Sequence, residues 1–401
     1  MISEQEKVLQ AVQKHMDTAL DIKKFLYEHP ETARTEYLSS KKIAEALKQV
    51  GYKVEYPFME KELGYPTAFR AVLENGSGPS VAIMAEYDAL PNLGHGCGHN
   101  FHGALATLAA LALAESDIRK SFSGSIYVIG TPAEEEAGAK VPMAEAGVFD
   151  DMSLACMMHS WGHAESYADM DVLALKCYIV EFFGEEAHAA SSPWQGHSAL
   201  AAARKFLDLI DARRECFTPD ARCNAIITDG GKSPNILPDY ASVRIEIRTD
   251  SQAKLHLMDQ SLKKCADGAA LALDCKVTFR KGFDDFADMV RNPALEKEME
   301  HIMSEYGFQM GTIQAPSGSS DVGNVSYHCP SIQALISVTD NGYPLHSENL
   351  REATMLPEAT ERLQNGAASL ASMMLKVLTD EAFRDKVTND FIHSRQKKLG
   401  T

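Results

Sequence analysis

The sequence lacks an excess of positive charge. Its 39 Lys and Arg residues are outnumbered by 56 Asp and Glu residues, which gives a formal net charge of −17 at pH 7. Such a charge repels the phosphate backbone of nucleic acids and the anionic headgroups of membranes. The sequence therefore predicts neither as a partner. Its longest apolar run, residues 104–114, is about half the ~20 residues that a membrane-spanning helix requires.

Paired cysteines and a secretory leader are also missing. The eight cysteines are spread along the 401 residues with no C-x-x-C pair and no spacing typical of a disulfide framework. The first 28 residues lack the basic start, apolar centre and small-residue cleavage site of a signal peptide. These absences predict free thiols and a cytoplasmic protein.

Several catalytic motifs have no counterpart in this sequence. It contains no G-x-S-x-G elbow, no Walker loop, no G-x-G-x-x-G turn between a strand and a helix, and no H-x-E with P-C-x-x-C. Serine hydrolases, P-loop nucleotidases, dinucleotide-binding enzymes and base deaminases are therefore disfavoured.

The chain does contain enough apolar residues, 45%, for a large core and two or three domains. Apolar runs at 80–86, 124–129 and 153–158 alternate with helical patterns such as the one starting at Gly103. This order predicts an α/β domain whose mixed sheet is covered by helices on both faces.

A different pattern begins near residue 176. Extended and helical segments follow one another in the order β-α-β-β-α-β, which is the split βαβ, ferredoxin-like arrangement of a compact α+β unit. We therefore expect residues 1–175 and 286–401 to form one domain, into which residues 176–285 are inserted as a second domain.

The densest group of reactive side chains is the segment 84–103, directly after an apolar run. It carries six residues of metal-ligand type, Glu86, Asp88, His95, Cys97, His99 and His102. Three glycines, at 94, 96 and 98, give its backbone room to turn sharply. Imidazole and thiolate favour zinc or a related transition metal over Mg²⁺ or Ca²⁺. The alternative is a surface loop with incidental histidines.

Three adjacent carboxylates, 134–136, follow the next apolar run. Because like charges repel one another, they require either open water or a cation. One could bind metal while its neighbour accepts a proton; the alternative is a solvated acidic turn. Two single histidines, His159 and His346, also follow predicted strands, so four strand ends could converge on one site. Either histidine could instead be structural.

Blocks of sequence spread over nearly the whole chain resemble the co-catalytic-zinc peptidases and amidohydrolases, which include aminoacylases, carboxypeptidase G and auxin-conjugate hydrolases. The blocks are HPE at 29–31, AEYDALPNLGHGCGHNFHGA at 85–104, GTPAEE at 130–135, HAASSPWQGHSAL at 188–200, SPNILPDYASVRIEIRT at 233–249, SGSSDVGNVSY at 317–327 and PLHSENL at 344–350. The last but one resembles the p-aminobenzoyl-glutamate hydrolase and β-alanyl-lysine dipeptidase branch.

The resemblance implies a role for each matching residue. It implies that two divalent ions, zinc or manganese, are bound by Cys97, His99, Glu135, His159 and His346. It implies further that Glu134 is the general base and that Asp88 orients a ligand. In the inserted lid and dimerisation domain, His188 would reach the partner subunit's active site, and Asn235 and Arg248 would hold the substrate.

Two positions depart from the family pattern. Glu86 stands where Asp is common, and Asn100 stands where CGHD is the usual wording. Neither change removes an implied ligand. We interpret His95 and His102 as structural residues or as partners of ligands.

The resemblance thus implies a metallo-amidohydrolase that cleaves N-acyl amino acids, aminobenzoyl-glutamate-like conjugates or short peptides through a metal-activated water. A homodimer is expected, with a tetramer as a further option. One alternative is a dipeptidase or carboxypeptidase that acts on true peptides. Another, from a different class, is a non-catalytic, metal-bound interaction protein.

Overall fold

The computed structural model describes residues 3–400, which form two compact units. Unit 1 contains the chain up to Asp171, Met289–Ala315 and the chain from Asp321 onward. Unit 2 contains Val172–Asp288 and Pro316–Ser320. Each unit has its own cluster of buried apolar side chains.

Unit 1 is built on a six-stranded mixed sheet. Its strands are β1 Lys53–Glu55, β2 Phe69–Asn75, β3 Ser80–Ala85, β4 Gly124–Gly130, β5 Leu154–Trp161 and β12 Ser331–Ser337, in the order β1-β2-β4-β3-β5-β12. Strands β3, β4, β5 and β12 are parallel, whereas β1 and β2 are antiparallel to their neighbours. Almost every residue of β3, β5 and β12 is buried, as expected for parallel strands covered on both faces. The predicted mixed α/β fold is confirmed.

The helices of unit 1 surround this sheet. They are α1 Glu4–Lys14, α2 Met16–Glu28, α3 Tyr37–Gln49, α4 Glu60–Leu63, α5 His99–Leu113, α6 Ser116–Arg119, α7 Lys140–Glu145, α10 Pro293–Glu305, α11 Val322–Ser326, α12 Glu348–Ala353, α13 Pro357–Thr379 and α14 Glu381–Leu399. Helices α1 and α2 meet at His15, whose side chain pairs with Glu115.

Unit 2 contains a four-stranded antiparallel sheet with the order β11-β6-β10-β8. The strands are β6 Ala174–Phe183, β8 Arg222–Asp229, β10 Tyr240–Thr249 and β11 Lys276–Lys281. Helices α8 Ala199–Arg213 and α9 Gln252–Ala272 pack against one another and against β6 and β10. The arrangement fits the predicted split βαβ unit. A separate pair, β7 Ala187–His188 and β9 Ile236–Leu237, completes the unit.

Within residues 3–400, each helix is too short or too polar to cross a bilayer.

Candidate metal centre

The parallel strands of unit 1 bring the predicted site residues to one edge of the sheet. Glu86 and Asp88 follow β3, and Glu134 and Glu135 follow β4. His159 lies inside β5, because that strand continues to Trp161; its predicted end at Met158 is wrong. The carboxyl ends of parallel strands meet at the same edge, where α/β proteins place their ligands.

The glycine-rich loop after β3 delivers Cys97 and His99 to this edge. Gly98 has a left-handed conformation, with φ of +85°, and a side chain there would collide with Ser160. Only glycine therefore suits this position. Helix α5 begins at His99, four residues before the predicted start at Gly103, so this candidate ligand lies in the first turn of the helix.

His346 reaches the same place from the segment before α12. Its φ is +59°, and its backbone N–H donates to Gly96 O at 3.0 Å. The histidine is therefore fixed against the glycine-rich loop, although its side chain is still 56% exposed.

The five predicted ligands face one another. The Sγ of Cys97 lies 3.5 Å from His159 Nε2. Glu135 Oε1 lies 3.7 Å from His99 Nε2, and Glu135 Oε2 lies 3.3 Å from His346 Nε2. Cys97, Glu135 and His346 can each offer a ligand atom within 4.8 Å of the others, as can His99, Glu134 and Glu135.

The charge balance of this cluster fits a cation. The Nδ1 of His99 bonds to Asp88 and the Nδ1 of His159 bonds to Ser160 O, so the Nε2 of each ring faces the cluster. Burial lowers the pKa of His159 to about 4, which keeps its ring neutral as a metal ligand requires. His99 Nε2 and Glu135 Oε1 are buried without a hydrogen-bond partner. Although burial alone would lower the pKa of His99, the charges of Asp88 and Glu86 raise it well above its usual value. The cluster thus carries an excess of negative charge, which a proton on His99 or a metal ion can offset, and the set of N, O and S donors suits a transition metal.

Asp88 connects two of these candidate ligands. Its Oδ1 lies 2.9 Å from His99 Nδ1, and its Oδ2 accepts the backbone N–H of Glu135 at 3.0 Å. The carboxylate is fully buried, so both bonds form away from water. The predicted orienting role of Asp88 has a geometric basis in these two contacts.

Glu134 points to a second group of carboxylates, and its ligand atom lies within 4.8 Å of those of Glu86 and Asp321. Burial, together with the charge of Glu86, raises the pKa of Glu134 well above its usual value. A carboxylate with a raised pKa is a stronger proton acceptor.

Lys140, the first residue of α7, is absent from the predicted site residues but lies beside them. Its Nζ contacts Glu86 Oε1 and Asp321 Oδ1, both at 2.6 Å, and all three side chains are fully buried. Although burial alone would lower the pKa of Lys140, the charges of Asp321 and Glu86 raise it. The only sequence signal was a lysine within the small and apolar run 137–144.

Four ambiguous residues now have defined surroundings. His102 has both ring nitrogens occupied, because Nδ1 bonds to Glu86 at 3.0 Å and Nε2 accepts the N–H of Ser160 at 2.7 Å. His95 Nε2 bonds to Leu26 O at 3.1 Å. Of the two departures from the family pattern, Glu86 bonds to Lys140 and His102, as described above. The other, Asn100, donates to Thr354 Oγ1 at 3.0 Å.

Unit 2 brings together two of its three predicted residues. His188 is exposed, and its Nδ1 accepts the N–H groups of Ala190 and Ser191 at 3.2 and 3.1 Å. The N–H of Ala189 donates to Asn235 O at 2.9 Å, which places Asn235 beside His188. Arg248 is separate from these two: it is the last residue but one of β10 and pairs with Glu246 at 3.0 Å.

Comparison with known proteins gives consistent matches. The family described as Peptidase family M20/M25/M40 matches residues 82–375. The Xaa-Arg dipeptidase of Mus musculus is 32% identical over 345 residues, which cover 83% of this chain and 79% of that protein. A p-aminobenzoyl-glutamate hydrolase subunit of Escherichia coli K12 is 33% identical over 310 residues, covering 72% of this chain and 62% of that protein.

A crystal structure with a similar fold comes from Bacillus subtilis and is described as a dinuclear metal binding peptidase from the M20 family. It has a TM-score of 0.68 and 21% identity, and the match covers 91% of this chain and 99% of that chain. At this identity the likeness establishes the fold.

Proposed function

Because the chain belongs to peptidase family M20/M25/M40, we propose that it is a metal-dependent hydrolase that cleaves the amide bond of N-acyl amino acids, aminobenzoyl-glutamate-like conjugates or short peptides. One observation carries this proposal above the others. Side chains from separate segments converge so that His99 Nε2 and Glu135 Oε1, both buried without a hydrogen-bond partner, face each other at 3.7 Å among further carboxylates and histidines.

The proposed centre holds two divalent ions, zinc or manganese, through the five ligands named above. When bound, such ions polarise an amide carbonyl and lower the pKa of a water molecule toward neutrality. Glu134 accepts a proton from the attacking water and returns it to the leaving amine. Asp88 keeps the His99 ring and the Glu135 backbone in place meanwhile.

Unit 2 supplies the remaining groups in this proposal. Since two N–H groups donate to Nδ1 of His188, the ring proton resides on Nε2, where it can stabilise a developing oxyanion. Arg248 would bind a substrate carboxylate and Asn235 a carbonyl. The N–H of Gly184 donates to Asp239 O, so the segment that leads to His188 meets the start of β10. Arg248 lies near the other end of that strand, about 26 Å further along at roughly 3.3 Å per residue, and is therefore far from His188 within one chain.

This separation supports a site shared by two subunits, in which His188 of one chain serves the other. The edge strand β8 supports a homodimer as well. It bonds to β10 on one side only and leaves Ile226 62% and Ile227 41% exposed. Exposed apolar edges of this kind are templates for pairing with another chain.

A true dipeptidase is the second candidate within the same chemistry. The observation that favours it is the 32% identity to the Xaa-Arg dipeptidase over most of both chains. A dipeptide and an N-acyl amino acid present the same amide and carboxylate, so the metal centre serves both. The two substrates differ in their acyl group, so the residues that contact that group decide which of them is cleaved.

The test is a screen of purified protein with zinc or manganese added. The substrates are N-acyl amino acids, aminobenzoyl-glutamate, and dipeptides with and without a C-terminal arginine. We expect close to two transition-metal ions per chain and turnover that a chelator abolishes. A protein with bound metal and no turnover would be an interaction protein instead, and turnover unaffected by chelation would exclude the metal mechanism.

A further inference from the structure

Ala133 adopts an uncommon conformation immediately before the two catalytic-centre carboxylates. It is fully buried and its φ is +60°, a left-handed region that non-glycine residues seldom enter. Its carbonyl accepts the N–H groups of Ala137 at 3.0 Å and Gly138 at 2.7 Å. The next two residues are Glu134 and Glu135, so a rotation at Ala133 would redirect both side chains. A conformation of this kind persists only where its surroundings hold it.

The group that holds it comes from a distant part of the sequence. Glu36, fully buried, accepts the N–H of Ala133 on Oε1 at 2.9 Å, and the same oxygen accepts the N–H of Arg34 at 3.0 Å. Its Oε2 accepts the hydroxyl of Thr67 at 2.7 Å. A buried carboxylate with three donors is fixed in direction.

Glu36 does not use this carboxylate to cap its own helix. The N–H groups of Leu38 and Ser39 at the start of α3 donate to Glu31 instead, at 3.0 and 2.8 Å. The carboxylate of Glu36 points to the end of β4. At the other side of the same turn, the N–H of Glu135 donates to Asp88. The segment with the two glutamates is thus held by one buried carboxylate on each side.

We propose that Glu36 is a positioning residue: by holding the left-handed turn at Ala133, it sets the direction in which Glu134 and Glu135 enter the centre. This inference rests on the proposed function of those two glutamates. Without Glu36, the buried N–H of Ala133 has lost its acceptor and the turn relaxes. Glu135 then meets its metal in a poorer orientation.

Four variants test the proposal by zinc affinity, measured on the full chain in competition with a chromophoric chelator. Glu36→Ala removes the acceptor, and Glu36→Asp withdraws it by one methylene. Both should raise the dissociation constant of the weaker-bound ion by about 10- to 100-fold, the usual effect of losing a group that orients a ligand. Glu36→Gln keeps an acceptor oxygen and should stay within about threefold of wild type. Glu31→Ala, the matched control, should lower the melting temperature and leave zinc affinity unchanged.

Two further readouts separate positioning from general loosening. Adding Ala133→Gly to Glu36→Asp should recover most of the zinc affinity, because glycine takes the left-handed conformation without steric cost. In the zinc-loaded Glu36→Asp protein, kcat should fall more than KM changes, since Glu134 is displaced as well.

The outcomes are distinct. Wild-type zinc affinity in both Glu36→Ala and Glu36→Asp would overturn the inference, and so would an equal loss in Glu31→Ala. If Glu36→Ala does not fold, Glu36→Asp decides alone. A wild-type chain that binds no zinc would instead refute the proposed function, which the same titration reports separately.

Discussion

The two units present their predicted functional residues in opposite ways. In unit 1, Cys97, His99 and Glu135 are buried, face one another and are held by further buried groups. In unit 2, His188 lies on the surface, and the edge strand β8 exposes most of its side chains. One chain can therefore assemble a candidate cation-binding cluster by itself, whereas His188 and the side chains of β8 are accessible from outside their own unit.

Activity should depend most strongly on the two adjacent glutamates of unit 1, Glu134 and Glu135. Glu134→Gln should lower kcat by about 10²- to 10⁴-fold, the usual contribution of a general base, and should retain its metal. Glu135→Gln should lose metal first. Metal analysis beside kinetics distinguishes the two, and equal metal loss in both variants would show that their roles are assigned wrongly.

Lys140 is the next most sensitive position. Lys140→Met leaves Glu86 and Asp321 buried without their counter-charge and should cost about 3–5 kcal/mol in free energy of unfolding. Urea denaturation with a chelator present measures this cost apart from metal binding. Adding Asp321→Asn should recover part of it. As a control in unit 2, Lys205→Met breaks an exposed pair with Asp208 and should cost less than about 1 kcal/mol.

Mixing two inactive variants tests this difference between the units directly. His188→Ala should lower turnover by roughly 100- to 1000-fold, as for the loss of one oxyanion donor. If His188 serves a second subunit, a mixture of His188→Ala and Glu134→Gln chains contains heterodimers with one intact site and regains activity. A mixture as inactive as its components, or full turnover in His188→Ala alone, would contradict the shared site.

A second buried lysine of unit 1, Lys23, should change the free energy of unfolding only slightly near pH 7. Lys23 donates to Thr354 O at 2.8 Å, and burial lowers its pKa to about 8. Because the folded pKa lies below the unfolded value, stability due to Lys23 is present at high pH and is lost as pH falls from about 10.5 to 8. Near pH 7, the free energy of unfolding of Lys23→Met should lie within about 1 kcal/mol of wild type. Above pH 8 the free energy of unfolding of wild type should rise relative to that of the variant. A difference in free energy of unfolding that does not change with pH would contradict the lowered pKa.

Local sequence patterns were enough to predict those strands and helices of unit 1 that are determined by residues close together in the chain. Parallel strands that end in ligand-type side chains gave both the mixed sheet and the edge where those side chains meet. Element ends were less accurate. The residue His159 fell inside β5 and His99 inside α5, because tertiary hydrogen bonds extended the strand and the glycine turn at 98 started the helix early.

The supporting residues could not be predicted in this way. Lys140 meets Glu86 across 54 residues and Asp321 across 181, and Glu36 meets Ala133 across 97. Such pairs leave no periodicity in a single sequence. Glu86 departs from the family pattern, but the role of this carboxylate depends on Lys140, which lies on another element.

The two hydrogen bonds of Asp88 affect how a metal ion would bind to the centre. Because this one side chain fixes the imidazole ring of His99 with one oxygen and the main chain of Glu135 with the other, two predicted ligands, one in the first turn of α5 and one after β4, are already oriented when folding is complete. The conformational freedom that a flexible site would lose on binding has been lost beforehand, so an arriving ion would meet a preorganised receptor and would be bound more tightly than by a flexible one.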